Sequence, residues 1–181
     1  MDQVTWAREL AERLLAEPLP RRWAHSRGVA ARARSIGDVL GDDAEILISA
    51  AWLHDIGYAP AAVDTGFHPL DGARYLRSVG ADSRLCSLVA HHSYADIEAR
   101  NRGLADVLAA EFEPVSGVLA DALTFCDMTT TPDGEPTEVE ERLTEIFERY
   151  GDGHLVTESI REAEPYIVEA AAKVADLMDA R

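Results

Sequence analysis

Positions 54 and 55 hold a histidine and an aspartate at the end of an almost wholly apolar run. Residues 46–53 contain a single hydroxyl, Ser49, and no charge. Ala, Leu and Trp in that run favour a helix, Asp42 or Asp43 is placed to cap its start, and Gly57 is placed to stop it. A helix that is apolar on nearly every face is buried, so His54 and Asp55 emerge where water is scarce. An unpaired buried carboxylate is costly, and Asp55 therefore needs a counter-charge. A divalent metal ion is the simplest one, because neutral imidazole and carboxylate are both metal ligands.

The same pattern recurs along the chain. His25 falls on the apolar face of a predicted helix, one turn before Val29. His68 opens another helix, and His91 and His92 end a third. Asp127 sits one turn past Leu123 on an apolar stripe. Taken singly, each has a plain structural reading: a hydrogen-bonded core histidine, a helix terminus, a last-turn aspartate, an exposed His92 beside an inward His91. Together they are harder to explain that way, because buried polar groups must be satisfied. Helix ends and inner faces can converge in a bundle interior, where facing side chains build metal sites.

The elements that must position these residues are helical. Alternating Val/Ile/Thr runs and Asn-Gly hairpins are missing, so the chain reads as all-α, a single-domain helical bundle. Helices are predicted over 4–16, 21–40 and 44–55, then over 68–79 and 82–92. One or two more fill 94–112, followed by 115–127, 138–150 and 160–178. Pro165 is expected to kink or break the last of these. Residues 129–136, Thr-Thr-Thr-Pro-Asp-Gly-Glu-Pro, form a loop. The pairs Glu138/Arg142 and Glu145/Arg149 have the i,i+4 order of a solvated helix face. His154, between Gly153 and Leu155, reads as incidental. The expected organisation is one domain over 1–181, with a metal-binding core of about 21–128 and the helices of 137–181 packed on it.

Composition narrows the function. At 181 residues and 47% hydrophobic, the chain is long and apolar enough for one substantial core. A formal net charge of −16 argues against a nucleic-acid or anionic-membrane partner, which would need a basic patch. A small phosphorylated substrate stays compatible, since a bound metal reverses the local field. Cys86 and Cys126 form neither a disulfide framework nor a metal-type pair, and the first residues lack the regions of a signal peptide. A reduced, cytoplasmic setting is expected.

The ordered residues His25, His54-Asp55 and Asp127 resemble the H…HD…D signature of the HD-domain superfamily of metal-dependent phosphohydrolases. Residues 54–57, His-Asp-Ile-Gly, resemble its HDIG variant. Residues 68–73 are similar to the HPxxGA segment that follows in many members, and His91-His92 is similar to the next histidine motif. The resemblance spans about 25–127. It implies a helical bundle with metal at its centre: one ion held by His25, His54, Asp55 and Asp127, and a second, bridged by Asp55, held also by His68 and His91. The ions would be divalent transition metals such as iron, manganese, zinc, nickel or cobalt, one or two in number. His92 is left as either an extra ligand or a group facing the substrate. The position after HDIG, often basic in the family, is Tyr58 here. The GYP tripeptide of cyclic-di-GMP phosphodiesterases is replaced by residues 93–96, Ser-Tyr-Ala-Asp, which counts against that substrate.

The chemistry implied is hydrolysis of a phosphate ester or anhydride of a small, nucleotide-like substrate by a metal-bound hydroxide. Asp55 and His92 are the candidate catalytic residues, Asp55 by bridging and His92 by donating a proton or binding a phosphate oxygen. Arg142 is a second candidate for substrate binding, weighed against a surface ion pair with Glu138. Thr129 and its neighbours are candidates for a pocket entrance, weighed against a plain loop. Two other readings use the same ligands: a di-iron oxygenase of the same fold, and a regulatory module that keeps its metals without turnover.

Overall fold

The computed structural model describes residues 2–180, which are helical with no strand among them. One isolated antiparallel bridge joins Thr130 to Pro136. The α-helices in chain order are α1 (Gln3–Leu15), α2 (Pro20–Ser35), α3 (Gly37–Leu40), α4 (Ala44–Leu53), α5 (His68–Ser78), α6 (Ser83–His91), α7 (Ala95–Asn101), α8 (Ala105–Glu111), α9 (Val118–Met128), α10 (Val139–Tyr150) and α11 (Leu155–Asp179). None is long and apolar enough to cross a membrane.

Helix α4 lies at the centre. Leu47, Ala50, Ala51 and Leu53 are fully buried, and the helix packs against α1, α2, α6 and α9. Helix α9 is the other inner element, in contact with α2, α4, α10 and α11. The ends of these two apolar helices carry His54 and Asp127.

Several boundaries differ from the sequence pattern for identifiable reasons. The helix expected over 21–40 ends at Ser35, and α3 restarts after Ile36. Ser35 turns its hydroxyl onto the Arg32 carbonyl, and Gly37 follows at once; both weaken helix propagation. Asp43 does precede α4, but its carboxylate binds Arg84 at 2.7 and 2.9 Å and caps no helical N–H. Helix α11 runs unbroken through Pro165 and begins before residue 160, because His154 caps it: the His154 ring accepts from the Val156 N–H at 3.2 Å. His154 is therefore a structural residue.

Asp71 ties the chain between α4 and α5. Its buried carboxylate accepts from the N–H groups of Asp64, Thr65 and Gly66 at 3.0–3.1 Å and from the Thr65 hydroxyl at 2.7 Å. Asp71→Ala leaves those donors without an acceptor and should cost about 2–4 kcal/mol, whereas Asp71→Asn, which retains one acceptor oxygen, should cost less. Urea denaturation of the two variants checks the ordering.

Candidate metal centre

Two groups of potential ligands meet in the interior. His25, His54 and Asp127 form one, and Asp55, His68 and His92 the other; within each, the ligand atoms lie within 4.8 Å of one another. Asp127 Oδ1 is 3.0 Å from His25 Nε2 and 3.8 Å from His54 Nε2. Asp55 Oδ1 is 3.7 Å from His54 Nε2 and 3.4 Å from His68 Nε2. His68 Nε2 and His92 Nε2 are 3.2 Å apart. His54 thus stands between the groups, with one carboxylate oxygen on either side.

The ring orientations are fixed from behind. His25 Nδ1 bonds the Thr131 carbonyl at 2.9 Å, His54 Nδ1 the Ala51 carbonyl at 2.9 Å, and His92 Nδ1 the Val89 carbonyl at 2.7 Å. A carbonyl only accepts, so each Nδ1 carries the proton. In the neutral ring each Nε2 then presents a lone pair. His54 is fully buried, and its Nε2 has no hydrogen-bond partner. Burial pushes the His54 and His68 imidazoles below their ordinary pKa, outweighing the attraction of the neighbouring carboxylates, so both are held neutral. Burial also opposes ionisation of Asp55 and Asp127. Arg22 nevertheless holds Asp55 well below the usual carboxylate range. The result is acceptors facing acceptors. A cation between them is what such a donor set is suited to bind.

Local sequence explains the convergence. Gly57 does not stop α4, which ends at Leu53. A Cβ at Gly57 would fall 1.9 Å from the His68 carbonyl oxygen and 2.7 Å from the Gly72 nitrogen. The HDIG glycine and the HPxxGA glycine are therefore the two sides of one backbone contact, which brings His68 to Asp55. Loop 129–136 is held against α2 in the same way: a Cβ at Gly28 would lie 2.3 Å from the Gly134 carbonyl oxygen. Thr129 and Thr130 are buried, and the loop serves to orient His25 through Thr131. None of its residues lines the pocket that holds the ligand groups.

His91, expected as a ligand, is turned away from the site. Its Nδ1 pairs with Asp96 at 2.8 Å and its Nε2 with the Phe112 carbonyl at 2.9 Å. His92 occupies the position instead. Helix α6 ends at His91, so the two adjacent side chains leave the backbone in different directions. We expect His92→Ala to lose an ion and His91→Ala to keep the full complement. Elemental analysis of both purified variants is the check, and equal metal content would refute the exchange.

The contacts of Arg22 escaped the sequence pattern. Asp55 does have a protein counter-charge: Arg22 donates to its Oδ2 at 2.9 Å. The Arg22 guanidinium lies 3.8 Å over the Tyr58 ring, and Tyr58 stacks on His68 with centroids 4.1 Å apart. A cation thus covers the tyrosine that stands where the family is often basic. Arg22 is three residues before His25, hence on the same helix face; that spacing was the available signal. Arg142 is 5% exposed, lines the pocket above the ligands, and pairs with Glu145. Its Nε has no partner. The expected surface pair with Glu138 does not form, because Glu138 is the extended residue preceding α10.

The profile of the family described as HD domain matches residues 22–180. Neither the curated proteins nor the solved structures searched gave a match to this chain.

Proposed function

Because this chain belongs to the HD-domain family, we propose that it is a metal-dependent phosphohydrolase acting on a phosphate ester or anhydride of a small, nucleotide-like molecule. The observation that carries this reading is His54 Nε2: buried, unpartnered, on a ring whose proton is committed to Ala51, and flanked by carboxylate oxygens of both groups. His25, His54 and Asp127 would hold one ion, and Asp55, His68 and His92 a second, with Asp55 Oδ1 between the groups. When bound, such ions polarise a phosphoryl oxygen and lower the pKa of coordinated water, which removes the need for a protein nucleophile.

The remaining residues bind and orient. Arg22, Arg142 and Arg149 line the pocket and offset the charges of Asp55, Glu98 and Asp127 there, so the lining is formally neutral on a strongly acidic chain. Bound cations would make it positive, which favours an anionic substrate. Arg142, already desolvated and with Nε unpartnered, is placed to take a phosphate oxygen. His92 has its Nδ1 on Val89 and its Nε2 in the ligand group, so neither nitrogen is left to donate a proton to substrate. His92 would therefore bind metal and not act as an acid.

The test is elemental analysis of protein purified without chelators, followed by a panel of phosphate esters and anhydrides assayed with manganese under argon. Turnover without oxygen supports the hydrolase. Activity that requires iron and consumes oxygen would mean the oxygenase. Bound metal with no turnover on any substrate would mean a regulatory module.

A further inference from the structure

Both carboxylates of the centre are used asymmetrically. Asp127 turns Oδ1 toward His25 and His54, and its Oδ2 accepts from the Ser93 hydroxyl at 2.5 Å. Asp55 turns Oδ1 toward His54 and His68, and its Oδ2 accepts from Arg22 at 2.9 Å. Neither Ser93 nor Arg22 belongs to the ligand groups. We infer that Ser93 and Arg22 are positioning residues that make each aspartate a one-oxygen ligand, by occupying the oxygen that would otherwise swing in to chelate. This rests on the reading that the two groups bind cations.

The backbone around Ser93 supports a dedicated role. Ser93 and Tyr94 have φ of +50° and +60°, and they are the only non-glycine residues with positive φ among those described. Left-handed conformation in two consecutive side-chain-bearing residues costs free energy and persists only where surrounding contacts demand it. What it achieves is visible. Directly after His92, the turn brings the Ser93 hydroxyl back onto Asp127, a residue of α9 more than thirty positions away in sequence. Glycine would satisfy the backbone better but would supply no hydroxyl. Arg22 is held differently, by its lie over the Tyr58 ring, which itself stacks on the ligand His68. The two caps therefore come from separate elements, α2 and the turn after α6, and each fixes a carboxylate on another element.

The experiment compares cobalt(II) binding and metal-free melting temperature in wild type, Ser93→Ala, Ser93→Gly, Arg22→Met and Arg22→Lys. Ser93→Gly should melt, without metal, above Ser93→Ala, because both lose the same hydroxyl and only glycine relieves the backbone. Both Ser93 variants should bind cobalt about ten-fold more weakly, the scale on which partners of metal ligands act. Their cobalt d–d absorption should fall as the freed oxygen raises the coordination number. Arg22→Met should show the same two changes, and Arg22→Lys, which keeps a charged donor, should recover part of them. A purely structural Ser93 would alter melting and leave the cobalt spectrum alone. Unchanged affinity and spectrum in the Ser93 variants overturns the inference while the metal centre stands. A wild-type protein that takes up no cobalt overturns the metal centre, and the inference with it.

Discussion

Asp55→Ala should yield protein that carries no ion in the Asp55/His68/His92 group and has lost hydrolysis by on the order of 10³-fold or more, since even partners one shell further out are worth 10–100-fold. The loss should be accompanied by a stability penalty independent of metal. Asp55 is buried and accepts a 2.9 Å bond from Arg22, which is itself largely enclosed under Tyr58. Deleting the carboxylate strands that guanidinium, at a cost of about 2–3 kcal/mol, the lower end for a broken buried pair because Arg22 retains some access to solvent. Asp55→Asn separates the two effects. It keeps an oxygen for Arg22 and nearly the same shape, so it should fold close to normally yet bind metal poorly. Elemental analysis and denaturant titration of the pair measure both quantities. Retention of a full metal complement by Asp55→Asn would remove Asp55 from the centre.

Gly57→Ala should be among the most damaging single-methyl additions in the molecule. The new Cβ would sit 1.9 Å from one backbone atom of α5 and 2.7 Å from another, and neither can rotate out of the way as a side chain could. Relief requires α5 to move bodily by more than an ångström, at a cost of about 3 kcal/mol or more. The movement carries His68, which opens α5, away from Asp55 Oδ1, now 3.4 Å from its Nε2. The second ligand group should open and its ion be lost. Gly66→Ala is the control. It has φ of +79° but open space around it, so it should cost only about 1 kcal/mol and leave metal content intact. Thermal melting and metal analysis side by side test this, and a Gly57→Ala protein matching Gly66→Ala in both would show that the backbone contact is not needed.

The sequence was most informative where chemistry and burial coincide. The apolar run 46–53 requires a central helix, and a histidine and aspartate at its end require partners, whatever the remaining fold. His25, His68 and Asp127 follow from the same reasoning, since each is a polar ligand type on an apolar helix. The glycines of the two motifs were visible too, but their reason was not. Gly57 looked like a helix stop by residue type, whereas its function is a contact between backbones far apart along the chain.

What the tertiary structure alone decided were choices between near-equal local options. Whether His91 or His92 faces the ligands depends on where α6 ends and on a left-handed turn at Ser93 and Tyr94, residue types that do not announce positive φ. Whether Arg142 meets solvent or the pocket depends on Glu138 lying outside α10, a matter of one residue at a helix boundary. That Asp55 is countered by Arg22, and Asp127 held by Ser93, depends on the packing of α2 and α9 around α4. Local sequence sets which groups must be buried and which need a partner, because desolvation acts on each residue wherever it lies. The identity of the partner is set by helix packing, because residues remote along the chain become neighbours only once the bundle has closed.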